Sequence, residues 1–256
     1  MNPTIYFITA AFLLLLTLAI ALALLYALRY GLRGGVLNER QQKSVLLYFG
    51  LGIFCWLAFL TLMAFIGFFD NFEDLPPRIL VAVLPPLILL LVLLFSKRFG
   101  QLLNRIPEHW LIYVQSFRIP MELLLWLGYL GGFIPFQMTF EGLNYDILVG
   151  ITALMAGYVF FGRGRYRHFE AIIWNISGIT LLLNIVLIAV LSVPAPWRVF
   201  MNEPANRFIA EAPFIWIPGF IVPFAFAVHL FSLKQLLSKP VRSRRPFLGR
   251  RKDKVE

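Results

Sequence analysis

Gln115-Ser116-Phe117-Arg118-Ile119-Pro120-Met121-Glu122 sets an arginine and a glutamate inside an apolar run that extends from Trp110 to Phe133. A run of that length crosses a hydrocarbon layer about 30 Å thick. At about 1.5 Å per helical residue, Arg118 falls roughly 12 Å and Glu122 roughly 18 Å from Trp110, near the middle of the layer. Gln115, Arg118, Glu122 and Trp126 recur every three or four residues, so they share one stripe of a helix, which must face protein and not lipid. A charge at that depth costs roughly 2.5–3.5 kcal/mol on insertion scales, and both groups need partners. Glu122 lies one turn from Arg118 and is the nearest candidate, although arginine before glutamate is the weaker order for such a pair. Loss of Glu122 is therefore expected to do more harm than loss of Arg118.

The rest of the chain has the same solvent. Of 256 residues, 60% are hydrophobic and only 14% charged, with a mean hydropathy of +0.79; soluble domains carry about 25% charged residues. The pattern predicts an all-α, polytopic helix bundle forming a single domain over 1–238. Seven transmembrane helices are expected at about 4–28, 44–69, 79–95, 110–133, 147–161, 169–193 and 214–236. The first is read as a retained span, because no base precedes it and it exceeds the apolar stretch of a signal peptide. The fifth is the shortest and carries Gly150 and Gly157. Cys55 is the sole cysteine, which excludes an intrachain disulfide.

The net charge of +10 would suggest nucleic acid in a soluble protein, but here the bases alternate between spans. Nineteen of the 23 Lys and Arg follow the first, third, fifth and seventh runs. Arg78, Arg198 and Arg207 lie on the other side, with seven acids. By the positive-inside rule the amino terminus is outside and the carboxyl terminus cytoplasmic, as expected for a multi-pass protein of the cell (inner) membrane. The basic tail, 239–256, is expected to be disordered and drawn to anionic lipid. Pro85-Pro86, Pro120, Pro218 and Pro223 fall inside spans, where they free carbonyls that neighbouring helices or water must satisfy. The connection 194–213 mixes aromatic and charged residues and predicts a short interfacial helix.

Depth along the spans puts Asn175 and His229 in the layer of Arg118, with Glu122 and Thr180 just above and Asn184 one turn beyond Thr180. Gln115, Arg118, Glu122, Asn175, Thr180, Asn184 and His229 make up the candidate polar centre. A second polar stretch, Gln137 to Asp146, follows the fourth span. Asp146 is expected to cap the next helix or meet its dipole, or else to form an outer vestibule with Gln137 and Glu141. The three histidines lie in separate segments without metal-ligand spacing, one cysteine cannot build a thiolate site, and no catalytic constellation or cofactor motif is present. Two readings remain: a membrane protein that binds or moves a small ligand or ion through the polar centre, in the manner of a transporter or receptor, and a structural or assembly protein in which the same residues only join helices.

The segments Phe117 to Leu123, Met138 to Gly142 and Asn175 to Asn184 resemble a group of uncharacterised bacterial multi-spanning membrane proteins. The likeness runs from the third span through the seventh, and it implies no activity. Seven helices with an outside amino terminus also look like rhodopsins, but the last span has no lysine at its middle to carry retinal; Lys234 lies at its end.

Overall fold

The computed structural model describes residues 1–33 and 35–238. The basic tail and its expected disorder lie outside the described residues. Among the described residues no strand occurs and nine α-helices form: α1 (Pro3–Arg33), α2 (Glu39–Phe65), α3 (Leu80–Phe95), α4 (Lys97–Leu103), α5 (Glu108–Tyr113), α6 (Arg118–Leu130), α7 (Ile147–Phe161), α8 (His168–Leu191) and α9 (Val222–Ser238). Five helices are long and apolar enough to cross a membrane, and α3 with α4 makes a sixth candidate, bent by 83° between the two parts. Their outer surfaces are apolar, as lipid requires. Apart from Leu60, α2 has no buried residue, and Leu51, Phe54 and Leu62 lie open along it beside Cys55.

Buried apolar side chains gather around α6. Leu13, Leu16 and Ile20 of α1, Leu124 and Leu125 of α6, Leu182, Ile185 and Ile188 of α8, and Phe224 and Val228 of α9 form one cluster. Bonds at the two ends tie the helices together. At one end Arg105 donates to the Gly31 carbonyl, Lys234 to the carbonyls of Leu94 and Ser96, and Gln235 to those of Leu103 and Ile106. Here a lysine closes the carboxyl end of α3, whose last carbonyls have no helical donors. At the other end the Asn2 N–H meets the Gly131 carbonyl at 2.8 Å and the Tyr6 hydroxyl donates to Glu211 at 2.7 Å.

The prolines inside the expected spans act unequally: Pro85-Pro86, expected to kink α3, does not interrupt it, and the sharp bend comes at Ser96. Pro120 lacks the N–H that would reach Ser116, and the chain tightens to a 3-10 turn over Val114–Phe117 just before it. The expected fourth span is thus helical in three pieces, α5, the 3-10 turn and α6. Pro218 lies inside a π-helical turn at Ile217–Ile221, and Pro223 follows it in the first turn of α9. The Gly219 carbonyl accepts from the Trp56 indole of α2 at 2.9 Å, and the Trp216 indole donates back to Thr61 at 3.0 Å. Trp56→Phe is therefore expected to lower stability by about 1–3 kcal/mol, since it leaves the carbonyl of the buried Gly219 without that donor. Adding Pro223→Ala returns a backbone donor to that turn and should recover part of the loss, read as the unfolding midpoint in detergent.

The connection 194–213 departs from expectation. It contains no α-helix; one 3-10 turn, Phe208–Ala210, lies near its end. Phe208 is 2% exposed and packs on Phe133 and Phe214, so the end of the segment folds into the bundle, while Val199 and Met201 stay exposed. Phe208 joins the core and Phe200 packs partly against it. Arg198 binds the carbonyls of Phe200 and Asn202 and the Glu203 carboxylate, and this bond, with the Ala205 N–H, holds the Glu203 carboxyl below its usual range.

Candidate functional site: a buried polar centre

Arg118 opens α6 directly after the 3-10 turn and is 1% exposed. Its Nε donates to Gln115 Oε1 at 3.1 Å, and its Nη1 bonds Asp146. Glu122 is not its hydrogen-bond partner. The glutamate accepts instead from Asn144 Nδ2 at 2.6 Å, and the same amide reaches the Met138 carbonyl at 3.0 Å. Asn144 Oδ1 in turn accepts from the Asp146 N–H. One asparagine thus fixes both carboxylates, through the side chain of Glu122 and the backbone of Asp146.

This arrangement merges two stretches that the sequence reading keeps apart. Asp146 precedes α7 but makes no side-chain cap, because its carboxylate is turned to Arg118. A helix of 15 residues spans only about 22 Å, so the start of α7 lies below the end of its neighbours and carries Asp146 down to the arginine. The face of α7 that meets α5–α6 makes this approach possible. Gly150 and Gly157 are buried, and a Cβ on Gly150 would lie 2.9 Å from the Ile119 backbone nitrogen. At Gly157 a Cβ would strike the Tyr113 ring.

A second cluster joins α8 to α9. His229 Nδ1 lies 2.9 Å from Asn175 Oδ1, and Asn175 Nδ2 donates to Ser232 Oγ at 3.0 Å and the Ala171 carbonyl at 2.8 Å. With its N–H groups spent there, the amide offers oxygen to the imidazole. Nδ1 therefore carries the proton, a tautomer assigned from this bonding pattern, and Nε2 is left as an acceptor. The ring is fully buried, tilted against Trp174 and pressed against Gly178, where a Cβ would collide with it.

The other expected members lie elsewhere. Thr180 is exposed and bonds the Ile176 carbonyl of its own helix, outside the centre. Asn184 braces the outer connection through the Leu143 carbonyl at 2.8 Å. Gln137 is buried, donating to Ser192 and accepting from Asn202, while Glu141 is exposed; with Asp146 turned to Arg118, the three do not line one vestibule. Asn144 and Ser232 are the members that the sequence reading leaves out. Asn144 sits two residues before a helix, a place where a turn asparagine is the ordinary assignment. Three nitrogens of the centre have no hydrogen-bond partner among the described residues: Gln115 Nε2, Arg118 Nη2 and His229 Nε2. No group of His, Cys, Asp and Glu able to hold a metal ion occurs among the described residues.

A domain of unknown function, DUF8737, matches residues 76–237, more than half of the chain. The chain belongs to the DUF8737 family. Every residue of the polar centre falls inside the DUF8737 region, which begins just before α3 and ends in α9; α1 and α2 lie outside it. The family description names no activity. No curated protein and no solved structure matches the chain.

Proposed function

We propose that the chain is a seven-pass protein of the cell membrane, amino terminus outside and carboxyl terminus cytoplasmic, whose buried polar centre on α5–α6, α8 and α9 takes up a small polar solute or ion. The seven passes count α3 and the α5–α6 run as crossings. Supporting the orientation, Arg105 and Lys234 bond at the end where α1 and α3 finish, whereas Glu211 lies at the end that holds the amino terminus. A cytoplasm-dependent reporter at the carboxyl terminus should be active; silence there, with activity at the amino terminus, reverses the orientation.

The observation that carries the ligand reading is the unfinished bonding of Gln115, Arg118 and His229. Buried polar atoms in native proteins are paired, and leaving one unmet costs about 1–3 kcal/mol. Two donors and one acceptor fit an oxygen-bearing guest that both gives and takes hydrogen bonds: a hydroxylated solute, or an ion with its water. Proteoliposomes should show a transient charge displacement after a jump in pH, Na⁺, K⁺ or Cl⁻, or a rise in melting temperature with glycerol or a sugar alcohol. His229→Phe and Gln115→Leu should abolish it while remaining monodisperse. The alternative, a centre that only joins helices, draws on the saturation of Asn144 and Asn175 and predicts no response to any of these probes.

A further inference from the structure

Between the end of α1 and the start of α2 lies a cleft of about 720 Å³ lined by Arg29, Arg33, Glu39, Gln42, Lys43 and Leu46. It lies outside the DUF8737 region and apart from the polar centre. Its lining is periodic on both sides. Arg29 and Arg33 are one turn apart on α1, and Glu39, Gln42, Lys43 and Leu46 follow the i, i+3, i+4, i+7 spacing of a single face of α2. Two helix faces thus turn three cations and one carboxylate toward the same space. Arg29, Arg33 and Lys43 are exposed, and none forms an ion pair among the described residues.

The depth of the cleft identifies its surroundings. It sits where two apolar helices, each long enough to cross a membrane, end and begin. Beside it Trp110 stacks on Tyr26 and packs on Tyr30, with ring centres 5.4 and 4.7 Å apart. Clustered Trp and Tyr at the ends of spans sit at the level of lipid headgroups. A basic pocket at that level meets phosphate, and each base near the surface contributes roughly 1 kcal/mol of attraction to anionic lipid.

We infer that this α1–α2 cleft binds the phosphate of an anionic phospholipid, with Arg29, Arg33 and Lys43 holding the phosphate oxygens and Glu39 and Gln42 accepting from headgroup hydroxyls. Its lining carries a net charge of two positive units, which favours phosphatidylglycerol over zwitterionic phosphatidylcholine. Leu46 and the apolar flanks of both helices receive the start of the acyl chains. The site differs from the basic tail, whose attraction to lipid needs no cleft.

Native mass spectrometry of the full chain in detergent, titrated with phosphatidylglycerol and phosphatidylcholine of equal acyl length, tests this. One phosphatidylglycerol should be retained with about tenfold preference or more. Arg29→Gln/Arg33→Gln/Lys43→Gln should erase the preference, and Arg29→Lys/Arg33→Lys should keep it, which separates charge from folding. Neutralising the tail by Arg244→Gln/Arg245→Gln/Arg250→Gln/Arg251→Gln should leave it in place. Preference surviving the triple change, or vanishing with the tail charges alone, overturns the assignment. Displacement of the lipid by an equal concentration of inorganic phosphate overturns it too, because the site would then take free phosphate.

Discussion

Asp146→Asn is expected to cost about 3–5 kcal/mol, among the largest losses available to a single change in this chain. The guanidinium of Arg118, 1% exposed with Nη2 already unpartnered, would keep only neutral amide oxygens, those of Gln115 and of the new asparagine, and its charge would be left without a counter-ion in direct contact. Removing one member of a buried pair leaves the other charged and unpaid for by water, whereas removing both can be nearly neutral. The double change Arg118→Met/Asp146→Leu should therefore recover most of the stability lost by Asp146→Asn. Glu122→Gln is expected to be milder, at about 1 kcal/mol, since an amide oxygen still accepts from Asn144. The sequence offers Glu122 as the nearest partner of Arg118, whereas Asp146 is the carboxylate that holds the arginine. Unfolding midpoints in detergent for the three variants and the wild type decide it. Equal losses for Glu122→Gln and Asp146→Asn, or a double change no better than Asp146→Asn, would remove the pair from its central place.

Gly150→Leu should be comparably damaging, through packing instead of charge. The first added carbon meets the Ile119 backbone nitrogen and, at 3.2 Å, the Arg118 Cβ, neither of which is the far end of a flexible side chain. Overpacking of this kind costs typically about 1–3 kcal/mol. Here α7 must also shift away from α6, and Asp146 with it, so the ion pair is strained by the same movement. In lipid, close approach through small residues is what drives helices together, so little else replaces the lost contact. Gly52→Leu on α2 is the matched control, because a Cβ there meets nothing within 4 Å. It is expected to leave the midpoint unchanged or slightly raised, given the poor helix propensity of glycine. A Gly150→Leu protein as stable as the control would show that the α6–α7 approach is not held by the missing side chain.

Most of the helical framework is legible in the sequence because lipid leaves so few choices. Apolar runs of sufficient length must be helical and must end where charge begins, and the expected runs near 79–95, 147–161 and 169–193 match α3, α7 and α8 to within two residues. The buried arginine and glutamate are legible for the same reason, being expensive where they stand. Their partners are not. Arg118 and Asp146 are 28 residues apart, and depth counted along each span puts the aspartate at the surface. Only the shortness of α7 hints that its first residues lie deep. Thr180 fails for another reason: rotation about the axis of α8 turns it outward, and depth counted along a span does not record that rotation.

The rim position of α2 gives the native chain a property useful for watching it move. Leu60 is its one buried side chain, and its polar ties to the rest include the two indole bonds of Trp56 and Trp216. In hydrocarbon no water-driven force presses such a helix inward. Cys55 stands immediately before Trp56, exposed, and the sequence holds no second thiol. A nitroxide or fluorophore attached to the unaltered protein is thus carried by the most loosely buried of its long helices, next to the bond that restrains it, and its spectrum reports the swing of that helix against the DUF8737 region in a lipid bilayer.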